Sequence, residues 1–364
     1  MRRGQTCGRC QPVLQGVTAT QYYAIFHTAM NLDSSSLNDL TWLDGKVVCI
    51  TGVTNGIGES LVGKICLLDA KPAKLILLAR NKRLVEEVAS RVVASGIACE
   101  THVGDLGRPQ EVERMAKAVS AKNSKLHCLM NNGGVWLADK ERVVLDSGLE
   151  AHFSVNFLSM VVLVTALLPL LRASAPARVV VTGSALYMVF AKGTVQFDDL
   201  QRESGEVNMG GKGGLPSGLA YAHSKVLQYC YCKHLAALMP AAGGVTLNIA
   251  DPGACLTPNQ PIFSNCTNMW PFLRCALYRT PAQGAEPLLY AAAARAMDGV
   301  HGSVVSWGTW KFYYPKRAPV PMETQPGALP IESTLTAPSV ADTEQCARLY
   351  ELAGKLAAAA ICDT

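Results

Sequence analysis

Tyr221 and Lys225 stand four residues apart in the run YAHSK, within a stretch whose pattern predicts a helix over 221–239. Residues at that spacing share a helix face, so the ammonium can lie beside the phenol. A nearby cation favours the phenolate and lowers a pKa that starts at about 10. The pair then reads as a general acid/base for use near neutral pH. Taken without context, the same two residues better suit a solvated helix face. Ser184 ends RVVVTGS at a strand tip, where it can hydrogen-bond the same substrate oxygen. Asn156, in HFSVNF, is a polar side chain in an apolar surround and needs a partner. A satisfied core amide is its plain alternative.

TGVTNGIG, residues 51–58, sits where a first β-branched strand (46–51) hands over to a helix (58–68). Gly52, Gly56 and Gly58 let the backbone turn tightly and approach a pyrophosphate, whose charge is met by helix N-terminal amides. A glycine triplet alone is a weak signal. Its place after the first apolar strand of an alternating series makes dinucleotide binding the stronger reading.

Those residues need a scaffold, and the chain predicts one. Strands over 46–51, 74–79, 98–103, 125–130, 178–182, 245–250 and 303–307 alternate with helices over 58–68, 83–94, 109–121, 149–171, 221–239 and 281–296. Continuously apolar strands in that rhythm indicate a parallel sheet covered on both faces. The expected architecture is α/β: one doubly wound domain over 44–314 with a mostly parallel seven-stranded sheet. A tail (1–43) precedes it, and a proline-rich connector with a terminal helix near 342–360 follows (315–364). The glycine-rich stretch 204–218 is expected as a surface loop or lid segment.

The motifs come in a recognisable order. With TGxxxGIG, NNGG (131–134), YxxxK and DPG (251–253) followed by Thr257, the chain resembles the short-chain dehydrogenase/reductase family from about residue 44 to 307. Within it, AYAHSKVL (220–227) and RTPAQGAEPLLYAA (279–292) look like the retinol dehydrogenase/WW-domain-containing oxidoreductase-like group. The resemblance implies a Rossmann-type fold and a tetrad of Asn156, Ser184, Tyr221 and Lys225, with Asn156 holding a water in a proton relay. It implies cofactor contacts at Gly52, Asn55, Gly56, Ile57, Gly58, Arg80, Asp105, Leu106, Asn132, Gly133, Tyr221, Lys225, Pro252, Gly253 and Thr257, with Asp105 meeting the adenine. Gly133 stands where the family has Ala, a lost methyl expected to loosen the turn.

Cofactor choice follows from charge. Arg80 ends the second strand, where an NAD-selective protein carries an acidic residue for the ribose. A guanidinium there, with Lys82 and Arg83 close behind, suits a 2′-phosphate. NADP(H) is therefore expected over NAD(H). The expected activity interconverts an alcohol and a carbonyl on a lipophilic retinoid-, steroid- or aldehyde-like substrate, by hydride transfer with a tyrosine acid/base. Trp136, Leu186, Tyr187, Met188 and Phe190 are candidates to line the cleft or are ordinary packing. The alternative is a nucleotide-binding but weakly active subunit with a structural role in a larger assembly.

Composition narrows the partners. The 364 residues are 49% hydrophobic and 17% charged, which excludes a disordered chain. Lys plus Arg at 33 against Asp plus Glu at 28 makes no case for nucleic acid. The 13 cysteines are scattered, and neither Cys7 with Cys10 nor Cys230 with Cys232 has a second pair at zinc-ligand spacing, so no metal is expected. FLSMVVLVTALLPLL (157–171) is shorter than a spanning helix and holds Pro169, which favours a buried helix over a membrane anchor. No transmembrane segment is expected, and an intracellular site, cytoplasm or an organelle such as the mitochondrion, fits the arginine-bearing N-terminus. A homodimer through the helices at Leu149 and Tyr221 follows from the resemblance, and docking through the tails is the other partner expectation.

Overall fold

The computed structural model describes residues 40–137, 139, 141–184, 194–204, 218–239, 244–257, 279–306, 331–333 and 342–362. Seven parallel strands and one antiparallel strand form a single sheet. In chain order the elements are β1 (Val47–Thr51), α1 (Gly56–Cys66), β2 (Lys74–Ala79), α2 (Lys82–Ala94), β3 (Ala98–Val103), α3 (Pro109–Lys122) and β4 (Cys128–Asn131). A π-helical turn (Phe153–Leu158) then runs into α4 (Ser159–Ala173), β5 (Ala177–Thr182), α5 (Gly218–Leu238), β6 (Val245–Asp251), α6 (Pro281–Ala293), β7 (Val304–Ser306), β8 (Ile331–Ser333) and α7 (Thr343–Cys362).

The strand order is β3-β2-β1-β4-β5-β6-β7-β8. Chain direction across the sheet reverses between β1 and β4, and the crevice above that switch point is where doubly wound folds bind ligands. β8 falls within the expected connector, and its three residues pair antiparallel with β7. Proline density there hid a strand too short to show a pattern.

Strands β1, β2, β4, β5 and β6 bury both of their faces. Val48, Ile50, Leu75, Leu77 and Met130 pack with α1, α2 and α6, while Cys49, Ile76, Leu78, Leu129 and Val179 pack with α3, α4, α5 and α7. Alternate residues thus serve opposite cores, which accounts for their continuously apolar sequences. Leu40, Trp42 and Leu43, at the end of the segment assigned to the tail, lie in the first of these cores. The Arg178 guanidinium lies 4.0 Å from the Trp42 ring centre and donates to the carbonyls of Ala292 (3.0 Å) and Ala294 (2.9 Å), capping the end of α6.

The expected start of the helix over 149–171 is a correction. Val144 and Glu150 form an isolated bridge, and one Glu150 carboxylate oxygen accepts from the Phe153 amide at 2.7 Å, so the helix begins only after Glu150. The next turn widens to π geometry, with the Ser159 amide donating to the Ser154 carbonyl. The Asn156 carbonyl is occupied by the Gln228 side-chain amide at 2.7 Å. Residues 153–173 are long and apolar enough to cross a membrane, yet 72% of the most apolar window is buried inside the protein. They form a core helix.

The terminal helix α7 joins the same core. Cys346, Leu349, Ala353 and Ala357 are buried against the α3–α5 side, and Tyr350 stacks on Tyr231 of α5 at 5.1 Å. α7 thus packs on both helices through which the resemblance implies a homodimer.

Candidate active site

β1 ends in the glycine-rich turn that leads into α1. A Cβ on Gly58 would lie 2.0 Å from the Gly52 carbonyl oxygen, and one on Gly52 would lie 2.6 Å from the Gly133 Cα. Only glycine permits that approach, and Gly52 and Gly56 also take positive φ. The Asn132 amide donates to the carbonyls of Thr51 and Gly52, both at 3.1 Å, and the Gly133 amide donates to the Thr51 hydroxyl at 2.7 Å. Asn132 thus fastens the turn from the neighbouring strand. Gly133 does not loosen it, because Leu106 Cδ1 lies 2.5 Å from where the missing methyl would be. Thr257 flanks Gly56, and Ile57 packs on the α6 side. Asn55 is the N-cap residue of α1, so this helix N-terminus and the turn form a cradle for a phosphate.

At the end of β2, Arg80 is exposed and lies 3.8 Å from the Asp105 carboxylate, whose other oxygen accepts from the Gly107 amide at 2.8 Å. Lys82 and Arg83 pair with Glu86 and Glu87 along α2. Pairs this exposed are weak and exchange partners readily.

Tyr221 and Lys225 lie on the first turns of α5, which is buried almost all round. Lys225 Nζ donates to the Thr182 carbonyl at 3.0 Å and sits 5.7 Å from the Tyr221 ring centre. Ser184, two residues beyond Thr182, shares a hydrogen bond with the Tyr221 phenol. Burial pulls Lys225 down to about 8, against the opposing pull of Asp251. For Tyr221, burial raises the pKa, the Ser184 bond lowers it and Asp251 raises it further. The expected depression by Lys225 is thus a correction: in this geometry the phenol is held protonated, because burial outweighs the groups that favour phenolate.

Asn156 comes to the same place by another route. Its Oδ1 accepts from the Val135 amide at 2.8 Å, and its Nδ2 donates to the Val135 carbonyl and to Ser224 Oγ, both at 3.0 Å. Both amide hydrogens are spent on protein atoms, so the side chain secures residue 135 and α5.

Trp136 is at the site but not as an open wall. Its ring stacks on Tyr221 at 4.7 Å and 8°, and it is 7% exposed. Leu186, Tyr187, Met188 and Phe190 lie outside the described residues, as do most of the 204–218 loop and of both tails. Pro252 and Gly253 follow β6, with Gly253 against Arg279. Two participants escaped the sequence reading. Asp251, 4% exposed at the end of β6, acts on both Tyr221 and Lys225, and its only signal was a carboxylate before a Pro-Gly turn. His152, edge-on to Tyr221 at 6.3 Å, gave no signal beyond being polar beside an apolar run.

A glycine cradle at the switch point and a tyrosine, serine and lysine grouped over the adjoining strands define a dinucleotide-dependent oxidoreductase. The residues present fit a nicotinamide nucleotide, since the cradle is one that added side-chain carbons would fill. Comparison with known proteins agrees. The short chain dehydrogenase family model matches residues 46–195. Polyprenol dehydrogenase of Mus musculus is 32% identical over 269 residues, covering 71% of this chain and 74% of that protein. Retinol dehydrogenase 12 of Mus musculus is 30% identical, covering 72% and 78%. The solved Pseudomonas aeruginosa RhlG/NADP complex superposes with a TM-score of 0.55 at 24% identity, covering 73% of this chain and 96% of that one, a likeness of fold. The chain belongs to the short-chain dehydrogenase/reductase family and is an oxidoreductase acting on CH–OH donors with a nicotinamide cofactor.

Proposed function

We propose that this chain is an NADP(H)-dependent enzyme that interconverts alcohol and carbonyl on a lipophilic, retinoid-, steroid- or aldehyde-like substrate, with Tyr221 moving the proton. The observation that carries it is the Tyr221 phenol hydrogen-bonded to Ser184 with Lys225 one helical turn away. When bound, the nucleotide supplies or accepts the hydride. In the reductive direction Tyr221, held protonated by burial, donates to the substrate oxygen. Ser184 steadies the oxygen as charge develops on it. Lys225 holds its charge close to the phenol and anchors to the Thr182 carbonyl. Asn156 keeps α5 and residue 135 in register.

Arg80, Lys82 and Arg83 support the choice of NADP(H), since each can exchange an exposed carboxylate for a phosphate. The apolar substrate class is supported by relatives named for retinol and polyprenol. Purified full-length chain, assayed with NADPH and NADH against a panel of retinal, long-chain aldehydes and ketosteroids, tests the reading. Turnover with NADPH ahead of NADH is expected. Tight NADPH binding without turnover on any member would instead favour a structural subunit.

A further inference from the structure

Residues 135–137 cross directly beside Tyr221, and two side chains hold them there. Asn156 takes the Val135 amide and carbonyl (2.8 and 3.0 Å), and His152 Nε2 accepts from the Leu137 amide at 3.2 Å. His152 and Asn156 are four residues apart at the head of the same helical segment and so share a face. With residues 135 and 137 fixed, Trp136 between them lies flat on the Tyr221 ring.

The state of His152 follows from its partners. Nε2 faces an N–H donor and so carries no proton, and Nδ1 therefore donates to Glu150 Oε1 at 2.7 Å. The second Glu150 oxygen accepts from the Phe153 amide, and the Glu150 amide donates to Gln201 Oε1 at 3.0 Å. Every bond of this buried pair is thus committed, and the imidazole is fixed as an acceptor aimed at residue 137. Its ring also meets Tyr221 edge-on, with centroids 6.3 Å apart. Indole covers one ring face of the phenol and imidazole one edge, while the hydroxyl end meets Ser184.

We propose that residues 135–137 are a strap that orients Tyr221 for proton transfer through Trp136, and that His152, held by Glu150, is the positioning residue that tensions it. This rests on the assignment of the proton transfer to Tyr221. The strap restricts the ring's freedom to tilt, so that its hydroxyl meets a substrate oxygen in one geometry, and small misplacements of that kind cost rate steeply.

The test uses the full chain with NADPH and a substrate that it reduces. His152→Leu is expected to lower kcat by about tenfold or more, while the Kd for NADPH, read by its fluorescence, stays within about twofold. His152→Gln, whose amide oxygen can accept from the Leu137 amide, is expected to recover most of that loss. Trp136→Ala is expected to lower kcat to a similar degree, and adding His152→Leu to it is expected to cost little more, since both act through one strap. Wild-type kcat in His152→Leu, equal damage in the Gln and Leu variants, or additive losses in the double variant would each overturn the proposal. Should His152→Leu fail to fold by circular dichroism, Trp136→Ala decides alone, and wild-type kcat there overturns it. Tyr221→Phe separates the two readings. If it keeps its turnover, the assignment of Tyr221 falls, whereas a dead Tyr221→Phe beside fully active Trp136→Ala and His152→Leu removes only the strap.

Discussion

Around the glycine-rich turn, contacts are made by backbone atoms within residues 51–58, fastened by Asn132 and Gly133 of the next strand. Around Tyr221 they are made by side chains from five separate segments: Trp136, His152 with Asn156, Ser184, Lys225 and Asp251. The cradle takes its shape from where side chains are missing, and the proton-transfer half takes its shape from which side chains meet. A backbone site tolerates no added atom, whereas a side-chain site responds in graded fashion to charge and orientation.

Adding a single carbon to the cradle should have the largest effect on nucleotide binding. Gly58→Ala places a Cβ 2.0 Å from the Gly52 carbonyl and 2.5 Å from Asn132 Nδ2, so the turn must open. Overpacking of this kind costs about 1–3 kcal/mol of stability. NADPH affinity should fall by about tenfold or more, since one backbone contact to phosphate is lost with the turn. Calorimetry and NADPH titration would read both, and unaltered affinity would show that the turn is not the phosphate site.

Next in size is the edge of the cradle, where the comparison predicts that charge begins to matter. Arg80→Glu should shift the ratio of NADPH to NADH affinity by about tenfold, the worth of one charge-assisted hydrogen bond, without a change in melting temperature. An unchanged ratio would remove Arg80 from cofactor choice.

The smallest effect concerns the graded half. Asp251 raises the pKa of both Tyr221 and Lys225, and its Oδ1 accepts from the Gly253 amide at 2.9 Å, a bond that asparagine can keep. Alcohol oxidation requires Tyr221 to lose a proton, so its rate rises with pH through the Tyr221 titration. Removing the negative charge lowers that pKa, and in Asp251→Asn the rising limb of the oxidation profile should move down by about one pH unit or less. A limb that stays in place, or moves up, would show that the Asp251 charge does not reach the phenol.

How much of this was legible in the sequence follows the same division. The parallel sheet, the glycine turn and the Tyr-Lys spacing are local patterns, and the strand over residues 74–79 falls where apolar continuity puts it. The π turn at Phe153–Leu158 was not legible: Gln228, which donates to the Asn156 carbonyl within it, lies 72 residues away in the chain. Nor was the net direction of the Tyr221 pKa, because the spacing reveals the cation but not the burial. Gly133 reads as a lost methyl until Leu106 is seen filling the space. Asp251 and His152 matter through what lies against them in space, and no spacing rule addresses that.

The division of labour can be put to one direct measurement: NADPH affinity and single-turnover reduction compared between the parent chain and Tyr221→Phe. The phenol contributes no atom to the glycine cradle, so NADPH should bind the variant within about threefold of the parent while reduction falls by about a hundredfold or more. Reduction at the parental rate in Tyr221→Phe would contradict the account, whatever its affinity for the nucleotide.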